Sequence, residues 1–288
     1  MTTTTPKAGP PAKGKHVERL GIEPLSVFGL PPVAFVHLAA DLGLRYIGMT
    51  LSAMPNPYGY APFSLLEDVA LRRETVTALR DRGVTIALGD GFTLRKGGDM
   101  RERAAELDVM AELGAERVNT VTFEPDLSRG ADQIGILAEM AAAVGMETTL
   151  EFGPGLCVSD LPTALGVVRG VGRPDLRLLI DTMHLVRSGS GADDIAALDP
   201  DLIGYVQLSD VPLVASIPNY MEEACFQRMV PGTGELPLLD ILGALPRHLA
   251  IGLEVPIRSE ADAGVGPHER LGRCVDAAAG LLARLDDV

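Results

Sequence analysis

A closed barrel of eight parallel strands wrapped by helices, the (β/α)8 TIM barrel, is the fold this sequence predicts, as a single catalytic domain over residues 17–288. Three observations predict it. From Val17 onward, short apolar runs alternate with longer segments of helical period, the pattern of repeated βαβ units. The runs are nearly continuous in apolar character, as strands of a parallel sheet covered on both faces are. They number eight in a chain of 288 residues, close to the roughly 250 that a closed barrel takes. A doubly wound open sheet would carry a glycine-rich phosphate turn after its first strand, and Gly21-Ile22-Glu23-Pro24 offers none. Gly189-Ser190-Gly191 and Gly232-Thr233-Gly234 lack the third glycine and read as loop glycines.

In order along the chain, strands are expected at 19–23, 46–51, 84–89, 117–123, 146–152, 176–181, 203–208 and 250–255. A helix over 31–42 opens on prolines and stops at Gly43. Helices over 71–82, 100–113 and 134–144 stop at Gly83, Gly114 and Gly145. A glycine just past a helix marks its end, because glycine enters the left-handed conformation at little cost. One connection breaks the rhythm, running from Asp210 to a helix expected at 236–245. Loops of that length inside a compact domain tend to be functional, and this one would lie over the catalytic face of a barrel.

Composition narrows the classes of function. No apolar stretch approaches the roughly 20 residues of a membrane helix, so no membrane association is expected. A net charge of −14 opposes a phosphate backbone and argues against a nucleic-acid partner. Residues 1–16 lack periodicity and the apolar core of a signal peptide, and are expected to be a disordered tail. Cys157, Cys225 and Cys274 have unrelated spacings that suggest neither a disulfide framework nor a metal clamp, which fits a cytoplasmic protein.

Function is carried by the second half. Glu151, Asp181, Gln207 and Glu254 each stand at or near the end of a separate apolar run, one βα unit apart, with the last interval widened by the long loop. Burying a lone carboxylate costs several kcal/mol, so three carboxylates and an amide at neighbouring strand ends imply a shared cation. Oxygen donors suit Mn²⁺ first, with Mg²⁺ or Co²⁺ as alternatives, and Gln207 takes away an imidazole that would favour Zn²⁺. Such a site should prefer a neutral hydroxylated ligand or a chelating ketol as its small-molecule substrate.

Five segments carry a family resemblance: Leu-Glu-Phe-Gly at 150–153, Ile-Asp-Thr-Met-His at 180–184, Val-Gln-Leu-Ser-Asp at 206–210, Arg228 leading into Pro-Gly-Thr-Gly-Glu at 231–235, and Gly-Leu-Glu-Val at 252–255. In this order they resemble the xylose-isomerase-like barrel superfamily of sugar isomerases, epimerases and related lyases. The resemblance implies that Glu151, Asp181, Gln207 and Glu254 hold one divalent metal, that His184 and the loop around Arg228 address the substrate, and that the chain forms homo-oligomers. Most isomerases of the group have histidine where Gln207 stands. Glutamine here, with Arg-x-x-Pro-Gly-x-Gly at 228–234, is similar to members resembling 3-dehydroshikimate dehydratases. Apurinic endonucleases share the barrel but need a cluster of histidines, and this chain has five in all, only one of them near the motifs.

Both readings begin with proton abstraction beside a carbonyl. A divalent cation would stabilise the enediolate as a Lewis acid, with Glu151 and Glu254 as bases flanking the substrate carbon. Return of the proton gives isomerisation or epimerisation of a keto sugar or related hydroxy ketone, the first expectation. If His184 protonates a β-hydroxyl instead, water leaves, and the chain is a dehydratase of a cyclic keto acid or keto sugar. Asp210 is expected to orient His184 or a substrate hydroxyl, and Arg228 to anchor an anionic group. Glu23, Asp90 and Glu124 also end or follow strands and are candidate pocket residues, and Met54, Pro55, Tyr58 and Tyr60 form a candidate apolar lip.

Overall fold

The structure, a computed structural model, describes residues 16–54 and 57–286. The tail expected over residues 1–16, apart from His16, and Pro55 of the expected lip lie outside the described residues. Eight parallel strands close into one barrel: β1 (Leu20–Ile22), β2 (Tyr46–Thr50), β3 (Thr85–Asp90), β4 (Arg117–Thr120), β5 (Glu147–Glu151), β6 (Leu176–Asp181), β7 (Ile203–Leu208) and β8 (Ile251–Leu253). Closure is made by β1 against β8, where Leu20, Gly21 and Ile22 pair with Ile251, Gly252 and Leu253. Every expected strand is present, though β4 and β8 are shorter at their carboxyl ends than the apolar runs suggest.

The helices follow the expected order. Pro32–Asp41, Val69–Arg82 and Ala104–Glu112 lie close to expectation, the last entered through a 3-10 turn at Met100–Arg103. Leu127–Ala143 begins well before the expected 134, because Asp126 caps it by accepting from the amides of Ser128 and Arg129. Gly43, Gly83, Gly114 and Gly145 all take positive φ, as their positions after helices require. Among the described residues, no helix is long and apolar enough to cross a membrane.

The large apolar core lies between strands and helices, with Ile47, Ile86, Val118, Leu150, Leu178, Ile180, Val206 and Leu253 packed against the surrounding helices. The opposite parity makes a mixed interior, in which polar side chains flank a small apolar cluster that includes Ala87, Leu179 and Tyr205. On β4, β5, β6 and β7, side-chain alternation aligns Asn119, Glu151, Asp181 and Gln207 at the carboxyl ends, and Arg117, Glu147 and Arg177 at the other. Ion pairs from Glu147 to Arg117 (3.7 Å) and Arg177 (3.4 Å) tie that lower layer together. Tyr205, fully buried, stands between the layers on β7. This interior polarity departs from the expectation of continuously apolar strands, as Glu-Thr-Thr-Leu-Glu on β5 illustrates.

Candidate metal centre and acid–base site

Strand register sets the first contacts. Asp181 on β6 lies directly opposite Gln207 on β7, while Glu151 on β5 pairs with Leu179, one interior position lower. Glu254 directly follows β8, and its amide donates to the Leu208 carbonyl at 3.2 Å. Four of the residues named from the sequence therefore converge at the carboxyl end of the barrel, where catalytic sites of this fold are built.

Each member has defined partners. Glu151 Oε2 accepts from Asn119 Nδ2 at 2.6 Å, while Oε1 faces His184 Nε2 at 3.3 Å. Asp181 Oδ1 caps the short helix Thr182–Arg187 by accepting from the amides of Met183 (2.7 Å) and His184 (2.9 Å). The same cap fixes where His184 leaves the strand. Its ring rests against Gly153, where an added Cβ would stand 2.9 Å from the imidazole Cγ. Gln207 Nε2 donates to Glu254 Oε1 at 3.2 Å, and among the described residues its buried Oε1 meets no hydrogen-bond partner.

Arg228 is buried at the centre of this network. One amino group reaches Asp181 and also donates to Ser209 Oγ at 3.1 Å, and the other lies 2.8 Å from Glu254 Oε2. Its Nε donates to the Ala224 carbonyl at 2.7 Å. Burial opposes the charge of Asp181, but the adjacent Arg228 and His184 outweigh it and hold the carboxyl below its ordinary range. Burial wins at Glu254, whose carboxyl is pushed well above the usual range despite Arg228, with the charges of Glu151 and Asp181 adding to the rise.

Two further carboxyls lie nearby. Glu23, fully buried, accepts from the Tyr205 hydroxyl at 2.7 Å and is pushed up to about 8 by burial, with neighbouring acids adding to the rise. Its oxygens occupy the space left by Gly48 and Gly252, where an added Cβ would come within 2.1 and 1.7 Å of them. Asp90 is pushed up to about 6, chiefly by burial and then by the charge of Glu151. The third candidate, Glu124, is engaged elsewhere, accepting from the Gly97 amide and pairing with Arg129, both at distances of 2.8 and 2.7 Å.

Asp210 requires a correction. Expected to orient His184 or a substrate hydroxyl, it spends both carboxylate oxygens on backbone amides: Oδ1 accepts from Val211 and Leu236, and Oδ2 from Gly232 and Gly234. It thus holds the return of the long loop, whose four amides would otherwise lack partners. Arg228 differs from expectation too, because its guanidinium is matched to two carboxylates of the site. Tyr58 of the expected lip packs against Phe28 in a tilted arrangement, with ring centroids 5.3 Å apart, and donates to Asp262 at 2.9 Å.

The sequence reading missed two participants. Asn119 stands inside β4 among other polar residues rather than at a strand end, and it shares a face with Glu151 once the strands are paired. Tyr220 lies in the long loop, at the start of the helix Tyr220–Phe226, and no strand-end pattern leads to it. Its hydroxyl is 2.5 Å from His184 Nδ1.

The donor set fits a divalent cation. One ligand atom each from Glu151, Asp181 and His184 lie within 4.8 Å of one another, and the unpartnered Gln207 Oε1 adds a buried oxygen with unused lone pairs. The oxygen-only set inferred from sequence is therefore joined by an imidazole at close range.

The profile of the xylose isomerase-like TIM barrel family matches residues 36–273. A 3-dehydroshikimate dehydratase of Pseudomonas aeruginosa is 29% identical over 174 residues, 58% of this chain and 26% of that protein. The chain spans between a quarter and a third of the length of the curated relatives it matches. Among solved structures, the IOLI protein with a bound zinc atom superposes with a TM-score of 0.72 at 17% identity, covering 93% of this chain and 97% of that one. A D-psicose 3-epimerase in the presence of D-fructose gives a TM-score of 0.65 at 17% identity, over 92% of this chain and 97% of its own. These two are likenesses of fold. With eight strands closed in sequence order and the family profile matched across most of its length, the chain belongs to the xylose isomerase-like TIM barrel family.

Proposed function

We propose that this chain is a divalent-metal-dependent carbon–oxygen lyase that dehydrates a cyclic hydroxy keto acid of the 3-dehydroshikimate kind. The observation that carries the reading is His184 Nε2 facing Glu151 Oε1 at 3.3 Å, an imidazole and a carboxylate side by side at the barrel mouth. Elimination of water needs such a pair, one group to take a proton from carbon and one to give a proton to the departing hydroxyl. The dehydratase relative and Gln207 in place of histidine support the same choice.

Glu151, Asp181, Gln207 and Glu254 would hold the metal, manganese first among the candidates, with magnesium or cobalt as alternatives and His184 close by. Bound there, a divalent cation would supply Lewis acidity toward a carbonyl oxygen and its neighbouring hydroxyl. The chain's own groups do the rest. Glu151, oriented by Asn119, takes the proton from the carbon beside the carbonyl. His184 gives its Nε2 proton to the β-hydroxyl, the carbon–oxygen bond breaks, water departs, and a carbon–carbon double bond remains. Arg228 keeps Asp181 ionised and holds Glu254 in place.

A second reading has its own support. Glu151 and Glu254 belong to non-adjacent strands and have separate partners, so two carboxylates can act on opposite faces of one carbon, as isomerisation or epimerisation of a keto sugar requires.

Incubation of the Mn²⁺-loaded protein with 3-dehydroshikimate and with a panel of keto sugars in D₂O separates the two. An absorbing aromatic product from 3-dehydroshikimate is the expected result. Deuterium in recovered sugar without loss of water would favour the isomerase, and inertness toward all of them would reject both. Elemental analysis tests the metal directly: wild type should retain Mn²⁺ after desalting and Glu151→Gln should retain much less.

A further inference from the structure

We propose that Tyr220 is a positioning residue for His184: its phenol donates to Nδ1 and so leaves the ring proton on Nε2, the nitrogen that faces Glu151. The inference rests on the acid–base role given to His184 above.

Two groups lie near Nδ1 and favour opposite tautomers. A carboxylate can only accept, and would keep a proton on Nδ1; a phenol can donate or accept, and as a donor it would leave Nδ1 bare. Distance chooses between them. The Tyr220 hydroxyl is 2.5 Å from Nδ1, while Asp181 Oδ1 is 3.9 Å away, beyond hydrogen-bond range, and already accepts from two amides. Among the described residues the Tyr220 hydroxyl meets no other hydrogen-bond partner, and with the acceptor-only carboxylate of Glu151 3.3 Å from Nε2, its proton is directed at Nδ1. The proton of the neutral ring then sits on Nε2, 3.3 Å from Glu151.

The phenol arrives on the long loop after β7, and that loop has its own anchor. Glu223, three residues further along the same short helix, accepts from Arg187 at 3.1 Å and from the Ser216 amide and hydroxyl at 3.1 and 3.2 Å. Arg187 ends the helix that carries His184. Docking of the loop and selection of the tautomer are therefore one event.

The test is ¹⁵N NMR of histidine-labelled, Mg²⁺-loaded protein, followed as pH is raised until the ring signals no longer change. The His184→Gln spectrum identifies the signals. Wild type is expected to show His184 protonated on Nε2, and Tyr220→Phe, which keeps the ring but not the hydroxyl, is expected to move protonation toward Nδ1. In the same variant, kcat toward 3-dehydroshikimate should fall about tenfold or more with KM changed by less than about twofold. A wild-type proton on Nδ1, or an unchanged spectrum in Tyr220→Phe, overturns the proposal. Failure of wild type to turn over 3-dehydroshikimate overturns the dehydratase reading instead, and the tautomer still decides the role of Tyr220.

Discussion

Arg228 Nη2 lies 2.8 Å from Glu254 Oε2 while its other amino group reaches Asp181, so one buried guanidinium joins two carboxylates that belong to the candidate metal centre. The same two carboxylates can be balanced by Arg228, by a metal or by both. Arg228→Gln should therefore destabilise the metal-free protein by roughly 3–5 kcal/mol, because it leaves buried charge without a partner. Urea denaturation with EDTA and with Mn²⁺ checks this, and Mn²⁺ is expected to recover more stability in the variant than in wild type. Equal stabilisation of both proteins by Mn²⁺ would count against a shared role for the cation and Arg228.

Glu23 has a folded-state pKa of about 8, above the ordinary value of 4.5 that an unfolded chain restores. A raised folded value means that the folded state binds the extra proton. The stabilisation is full below about pH 4.5 and is lost as pH rises toward 8, at no more than about 1.4 kcal/mol per pH unit. Glu23→Gln keeps an acceptor for Tyr205 and removes the titration. Between pH 5 and 8 in EDTA, the stability of the variant relative to wild type should rise, as read from urea midpoints at fixed m-value. A difference that stays constant with pH would contradict the protonated state of Glu23.

Gly153 makes room for His184, since a Cβ there would fall 2.9 Å from the imidazole Cγ. Gly153→Ala should push the ring away from Glu151. A fall in kcat of about a hundredfold is expected, with a loss of stability of about 1–3 kcal/mol, because a packed ring must move to admit the methyl group. Steady-state kinetics and thermal unfolding measure both. Unaltered kcat would show that the position of His184 is not critical.

Asp210 ties four amides of the long loop to the end of β7. Asp210→Ala should cost about 2–4 kcal/mol, since several amides lose a charged acceptor at once. Limited proteolysis is expected to cut between residues 211 and 235 faster than in wild type. Asp210→Asn, which keeps one acceptor oxygen, should lie between the two, and a wild-type cleavage rate in Asp210→Ala would remove Asp210 from this role.

Much of the site was legible before folding. Glu151, Asp181, Gln207 and Glu254 could be grouped because each ends an apolar run, and a parallel barrel brings such ends to one face. Asp210 misled for a physical reason. A carboxylate three residues past a strand-end amide looks the same whether it faces substrate or caps a turn, and only the path of residues 230–236 places three of its four donors, Gly232, Gly234 and Leu236. Asn119 was obscured for another: in Arg-Val-Asn-Thr polar side chains stand on both faces of the strand, and the meaning of Asn119 comes from pairing with β5.

By itself the sequence determined the strand–helix alternation, the glycines that end helices and the order of the strand-end carboxylates and amide, because these depend on local conformational preference and on side-chain alternation along single strands. Only the tertiary structure decided that Arg228 sits between Asp181 and Glu254, that His184 has Glu151 on one nitrogen and Tyr220 on the other, and that Gln207 Oε1 is left without a partner. These contacts join residues from different strands and from a long loop, and their free energies depend on distance and burial, which exist only once the barrel has closed.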